Sequence, residues 1–597
     1  MLLLRPPHRN ELAAAGSQAV TGLSRPTRHA LLCSFVIACF GLLAPDGSPP
    51  AAHALKSETP TALLLEARGA AASIDDRAER SSALDPIVVA QIAIDPPEAR
   101  ETLKHFPKLP NKLNYFTALA QVYAATGNVA ETERIYAEIV VEDQSSRPGK
   151  LAAANALGQV SIAHANKGNL EEAFRTLERL KERTKQESFA IVGIVTAKLA
   201  EAQARHGDVP GAVKTALGIA GDNPYPLMTI VGGQVRHGKA QAAQGIIADL
   251  DDGAQRYALW GVMQAQMAQG RLIEAQVTAS AIKPGHAKAS ALLELATYHR
   301  EHGGQLLALT LLQEAESSAL LTVNDWTRAE ILGRIAVETA MAGDADHAIS
   351  IAKSIEQEGH RRSALYDIAK AQAKRGEFAG AFNTATLLRQ APPTDEKASD
   401  YDKAISEILV EMVKAGKGTE AKDTAARFQD ADIRPSWLHS GIAMTYAELG
   451  NLKEAKAALA LAETETQRSA RRKELRQLDD KLRFGLSPAD QTRFQDLWKV
   501  DGDIERGLEA IARAFARKGD LSGAMAVADE LNQPAHRLHL IKDLSTLHIQ
   551  AGRKDHTLQW ARNLSSLSER VFALVGIATE LSHHTDKQKA KPASSHK

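Results

Sequence analysis

Glycine marks off this chain like a ruler. From Gly127 it recurs at Gly168, Gly207, Gly238, Gly270, Gly303, Gly343, Gly376, Gly416, Gly450, Gly519 and Gly552, at intervals that subtraction puts at 31 to 41 residues, with one of 69. Each interrupts a run of helix formers where a tight turn calls for positive φ, a conformation glycine adopts without steric cost. The pattern is plainest around Gly376: Leu365, Ile368, Ala369 and Gln372 keep a three-and-four spacing before it, and Phe378, Ala381, Phe382 and Ala385 resume it afterwards. Two short helices joined by such a turn cannot each bury an apolar face alone. They must pack on one another and on neighbouring copies.

Alanine keeps the same time. It stands five residues after nearly every glycine, at Ala173, Ala212, Ala243, Ala275, Ala308, Ala348, Ala381, Ala421, Ala455 and Ala524. Seven residues before the glycine the side chain is usually small, as at Ala120, Ser161, Ala200, Ala296, Ala336, Ala369, Ala443, Ala512 and Ser545. These are the points where paired helices cross closely, and a large side chain there would hold them apart. The expected fold class is therefore all-α, a solenoid of about twelve helix pairs.

The units resemble tetratricopeptide repeats. The likeness is carried by Phe116, Leu119, Ala120, Tyr123, Gly127-Asn128, Thr132 and Tyr136, and again by Ile442, Ala443, Tyr446, Gly450-Asn451, Glu454-Ala455 and Leu459, and it extends from about Leu113 to Ala561. It implies a right-handed α-α superhelix in which the first helix of each unit lines a groove. The chain departs from the family at Gln203, Gln234, Gln266 and Gln372, where a tyrosine or another large residue is common, so no family ligand contacts carry over.

A chain of 597 residues would ordinarily split into several domains, but a repeat array grows in one dimension and escapes that limit. Only 5% of residues are aromatic, which suits close packing of helices around small side chains. Lysine plus arginine and aspartate plus glutamate number 72 each, so no global field favours a polyanion, and nucleic acid is not the expected partner.

Near the N-terminus Arg25 and Arg28 precede the apolar run from Ala30 to Leu43, and Pro45, Gly47, Pro49, Pro50 and Ala52-His53-Ala54 follow. That order of basic, apolar and small residues reads as a secretory signal peptide over residues 1–54, cut after Ala54, which would place the protein in a periplasm or outside the cell. The alternatives are an uncleaved anchor, or lipidation at Cys39, where Val36-Ile37-Ala38-Cys39 resembles a lipobox; either would give a membrane association through the N-terminus alone. Cys33 and Cys39 are the only cysteines, so cleavage would leave no disulfide, thiolate–zinc site or cysteine nucleophile.

Further boundaries follow from punctuation. Residues 55–110 read as a linker with N-terminal capping helices, 111–462 as repeats, and 463–503 as a degenerate repeat with an extended charged helix. Residues 504–581 return to repeats and a capping helix, and 582–597 form a disordered tail. In the charged stretch Arg468, Arg471, Arg472, Lys473 and Arg476 alternate with acids and read as a solvated face.

Catalytic motifs are wanting. Gly233 to Ala240 nearly spells a phosphate loop, but Ala240 replaces the hydroxyl that would hold magnesium and Gly238 is already a repeat turn. His299 and His302 sit one turn apart without a third metal ligand at a recognisable spacing, and Glu187-Ser188 lacks the sequence that follows it in lytic transglycosylases. The expectation is a protein that is not an enzyme and needs no cofactor or metal, acting as a scaffold or adaptor for a protein or peptide. A cell-wall or carbohydrate hydrolase and a self-assembling structural protein are the alternatives. Groove-facing positions counted back from the glycines nominate Tyr225, Met228, Tyr257, Trp260, Gln264 and Met267 as partner-binding anchors, with Arg300, Lys370 and Lys374 ready for an acidic segment.

Overall fold

The computed structural model describes residues 59–105, 111–143, 146–184, 189–219, 225–389, 398–428, 435–482 and 486–589. The expected signal peptide with Cys33 and Cys39, and Glu187-Ser188, lie outside them. The described residues form 29 helices and no strand, so the protein is all-α. It divides between Thr215 and Ala216 into two compact units. In the first, helices Pro60–Ala72, Arg77–Ile94 and Pro96–His105 precede the pairs turned by Gly127, Gly168 and Gly207. The second holds the remaining nine turn glycines and ends in helix Leu567–Lys589.

All twelve turn glycines have positive φ, between 68° and 102°. Each closes a two-bond cap. At Gly376 the N–H donates to the Ala373 carbonyl at 2.9 Å, and the Glu377 N–H reaches back to Gln372 O at 2.9 Å, so the last carbonyls of the helix are satisfied as the chain turns. The next residue often starts the second helix. Asn128, Asp208, Asp344 and Asp520 each accept the N–H three residues on, which caps that helix immediately after the glycine.

The pairs close through small residues, as the spacing predicts. The alanines five after the glycine and the small residues seven before it are all buried. The tightest crossing uses glycine itself. A Cβ on Gly261 would lie 2.3 Å from the Met228 carbonyl oxygen, and one on Gly232 2.5 Å from Gly261 O, so helices Tyr225–Arg236 and Asp252–Ala268 touch backbone to backbone.

The glutamines that depart from the tetratricopeptide pattern have a structural role. Gln203, Gln266 and Gln372 are buried four residues before a glycine, and their Oε1 atoms accept from Thr215, Thr278 and Thr384, each eight residues after it, at 2.7, 2.8 and 2.7 Å. A buried amide with a hydroxyl partner pins the two helices of a pair in register where a tyrosine would only fill space.

Three expectations are corrected in the C-terminal third. Arg468 and Arg471 are not a solvated face: both are buried. Arg471 donates to both Glu463 carboxylate oxygens at 2.8 Å and also to Asp501, while Arg468 pairs with Glu530 at 2.7 Å and Arg472 donates to the Glu530 carbonyl. The interspersed acids are the partners that allow these arginines to be buried. No helix break marks residue 503, because Pro488–Arg517 runs through it, capped by Ser487. The first part of the stretch expected as tail is helical: the last helix continues through Lys589, with Val571 to Ala578 buried. No described helix is long and apolar enough to cross a membrane.

Candidate functional site

The first helices of four successive pairs in the second unit, Asp252–Ala268, His286–Glu301, Asp325–Met341 and Glu358–Lys374, together wall a cavity of about 680 Å³. Met267, Leu293 and Thr297 line one end, Glu330, Gly333, Arg334 and Val337 the middle, and His360 and Asp367 the other end. Most of these side chains come from first-helix positions at fixed distances before the turn glycine. Gly333 contributes the absence of a side chain: the nearest atom to a Cβ there would be 3.7 Å away, so the wall is recessed at that point.

Polar rungs tie first helix to first helix along this face. Gln264, six residues before Gly270, donates to both oxygens of Glu294, nine before Gly303, at 3.1 and 3.0 Å. The same offset joins Lys370 to Glu407 at 3.0 Å and Arg513 to Asp543 at 3.0 Å. A neighbouring offset joins Arg300 to Glu338 at 2.7 Å. At the cavity, between the Gln264–Glu294 and Lys370–Glu407 rungs, two successive rung positions carry no cross-link. The rung position before Arg334 is Thr297, whose hydroxyl donates to its own helix at Leu293 O, and the one before Asp367 is Val337, which has no polar atom to offer. Arg334, Asp367 and Glu330 consequently make no ion pair among the described residues.

The electrostatics follow from this interruption. Burial pushes the Glu294 carboxyl above its ordinary pKa, against the hydrogen bond from Gln264, the nearby Trp260 indole N–H and the charge of Arg334. Burial likewise raises Asp367, with Lys370 and Lys374 opposing. Tyr366 is pushed up to about 12, first by burial and then by Glu407, Asp367 and Asp400. At the rim, Trp326 is 64% exposed and meets His360 edge to face with ring centroids 4.3 Å apart.

The residues nominated from the sequence separate into three groups. Met267 lines the cavity and Gln264 reaches it through Glu294. Met228 and Trp260 do not face a groove: both are buried core, Trp260 tilted against Tyr257 at 6.5 Å and edge-on to His286 at 6.3 Å. The glycine crossing at Gly232 and Gly261 is what draws them inside. Tyr257 is partly buried against the same cluster, and Tyr225 opens its helix with a side chain outside the described residues. Arg300 and Lys370 are committed to Glu338 and Glu407 and are not open to an acidic segment; Lys374 is exposed. The residues that the count missed, Glu294, Arg334 and Asp367, all stand nine before a turn glycine. The polar character of that position, repeated at Glu407 and Asp543, was the signal. No metal-holding cluster occurs among the described residues; His302 is occupied instead, its Nδ1 2.7 Å from Tyr298 O and its ring stacked on Tyr298.

No family profile matches the sequence, and no curated protein matches it. Solved structures do match. One is the pentatricopeptide repeat protein PPR10 from maize, at 12% identity over 86% of this chain and 77% of that one, with a TM-score of 0.26. Naa15/Naa10 bound to HypK matches at 15% identity over 84% of each chain, TM-score 0.24. This is a helical-repeat protein. At such identities the likeness is one of architecture. PPR10 is also solved in complex with an 18-nt psaJ RNA element, and that structure matches at 13% identity over 97% of this chain and 98% of that one, TM-score 0.23. The exclusion of nucleic acid is corrected: PPR10, a helical-repeat protein, is solved with RNA bound, and a net charge summed over a whole chain does not describe the local charge along one face.

Proposed function

We propose that this helical-repeat protein is an exported, divergent tetratricopeptide-like scaffold that acts by binding an extended segment of a partner protein on the face of its first helices, without catalysis. The observation that carries the reading is the interrupted ladder. Between the Gln264–Glu294 and Lys370–Glu407 rungs the wall opens into a cavity of about 680 Å³, within the range of ligand clefts, roughly 300–1,000 Å³, and the charged side chains it exposes are left for a partner to satisfy. Export is supported by the basic, apolar and small-residue order of residues 25–54.

Site-specific photocrosslinking in cells tests it. A photoreactive residue at Ser363, exposed on the cavity wall, is expected to capture a discrete partner segment, whereas one at Leu306, 83% exposed on a second helix, is not. Equal capture at both positions, or at neither, overturns the reading. N-terminal sequencing of the protein recovered from the periplasm checks export separately, with Leu55 as the expected first residue.

A further inference from the structure

The cavity has a sign. Its lining carries four carboxylates, Glu294, Glu330, Glu338 and Asp367, against one guanidinium, Arg334, and the His360 imidazole. Glu338 is neutralised by Arg300 at 2.7 Å, and Glu294 is met only by the uncharged amide of Gln264. Glu294, Glu330 and Asp367 are thus left without a full cationic partner beside a single Arg334. A second observation points the same way. The Trp260 indole N–H is buried beside Glu294 without a hydrogen-bond partner, so the donors nearest this cavity-lining carboxylate are neutral. At the far end, Trp326 offers an exposed aromatic face against the cavity-lining His360, the kind of surface a cation stacks upon.

We propose that the cavity is a receptor for a cationic side chain, lysine or arginine, carried by an extended segment of the partner protein, with Glu294 and Asp367 as its counter-ions and Trp326 as the aromatic rim. The proposal rests on the groove reading above and adds the chemistry of the occupant. The segment's cation completes the missing rung at Asp367: it supplies the positive partner that Val337 does not. Arg334 sets the selectivity from within, since an occupant that brings its own positive charge must sit on the carboxylate side of the cavity, whereas an acidic occupant would meet three uncompensated carboxylates and one arginine.

The test is an array of immobilised nonapeptides with randomised flanks and a systematically varied central residue, probed with the full chain, wild type and variant. The expected result is a preference of about tenfold or more for central lysine or arginine over glutamate or leucine, the size of one charge-assisted contact. That preference should be lost in Glu294→Gln/Asp367→Asn and strengthened several-fold in Arg334→Glu, a change at an exposed residue that leaves folding untouched. If the double variant fails the circular-dichroism control for helix content, Arg334→Glu decides alone. Peptides retained with an acidic or apolar preference, or a cationic preference indifferent to these variants, overturn the cationic inference while the groove reading stands. No peptide retained at all sinks the groove reading itself. Tight binding of a ten-nucleotide oligoadenylate RNA that the same variants alter also overturns the proposal.

Discussion

Gln264 donates its side-chain amide to both carboxylate oxygens of Glu294, at 3.1 and 3.0 Å, across two successive first helices. A neutral donor in that place holds the carboxylate in position without cancelling its charge. Where lysine or arginine occupies the same offset, as at Lys370 and Arg513, the carboxylate opposite is neutralised and the wall is closed. One residue's identity thus separates a neutralised rung from one whose carboxylate keeps its charge.

Because burial raises the Glu294 pKa, the native state holds its proton more tightly than the unfolded chain does. Stability then falls as pH rises from the ordinary glutamate value through the raised one, since the cost of an ionised, half-buried carboxylate appears only above that window. Glu294→Gln removes the ionisation and keeps a group able to accept from Gln264. The variant is expected to gain stability relative to wild type at pH 7 and to match it near pH 4, measured as urea midpoints at the two values. An equal offset at both would show that Glu294 does not titrate in this way.

Spacing alone makes Trp260 a candidate binding anchor, and its burial reassigns it to the core. Trp260→Ala is expected to destabilise the second unit by about 3–5 kcal/mol through the lost burial and the cavity left behind. Thermal unfolding followed by circular dichroism measures the loss. A variant as stable as wild type would return Trp260 to the surface.

Two glycines fail to tolerate a methyl group for different reasons. Gly376 has open space around it but a φ of +82°, so Gly376→Ala costs about 1–2 kcal/mol of left-handed strain. Gly261 is helical, and its added Cβ would strike the Met228 carbonyl, so Gly261→Ala must separate two helices and costs about 1–3 kcal/mol or more. The substitutions also differ in kind: asparagine, which tolerates the left-handed region, should partly restore Gly376 and worsen Gly261. Chemical denaturation of the four variants distinguishes them, and a Gly261→Asn more stable than Gly261→Ala would refute the close crossing.

Arg471 is buried between Glu463 and Asp501. Arg471→Ala strands the buried Asp501 carboxylate and leaves Glu463 with only Arg468 at 3.8 Å, and is expected to cost about 3–5 kcal/mol, with the loss partly recovered when Glu463→Gln and Asp501→Asn are added. Single-variant stability within 1 kcal/mol of wild type, about the value of an exposed pair, would mean that the network is solvated after all.

The repeat was legible from sequence because its causes are local. A positive φ at Gly127 or Gly376 is demanded by the turn itself, and Ala381 or Ala369 must be small because the partner helix is only a few residues away along the chain. The same local reach explains why the glutamine–threonine pins could have been found: Gln372 and Thr384 lie within one helix pair, and their pairing repeats at Gln203 and Gln266. What only the tertiary structure decided are relations between pairs. The sequence could not say that Gly232 and Gly261 would bring two backbones together and carry Trp260 inward, or that Arg471 would find Asp501 across thirty residues. Nor could it say that Thr297 and Val337 would leave Arg334 and Asp367 without rungs. Each of these depends on how far one helix slides and rotates against the next, and that offset is set by the summed packing of side chains from several helices, a quantity no single stretch of sequence contains.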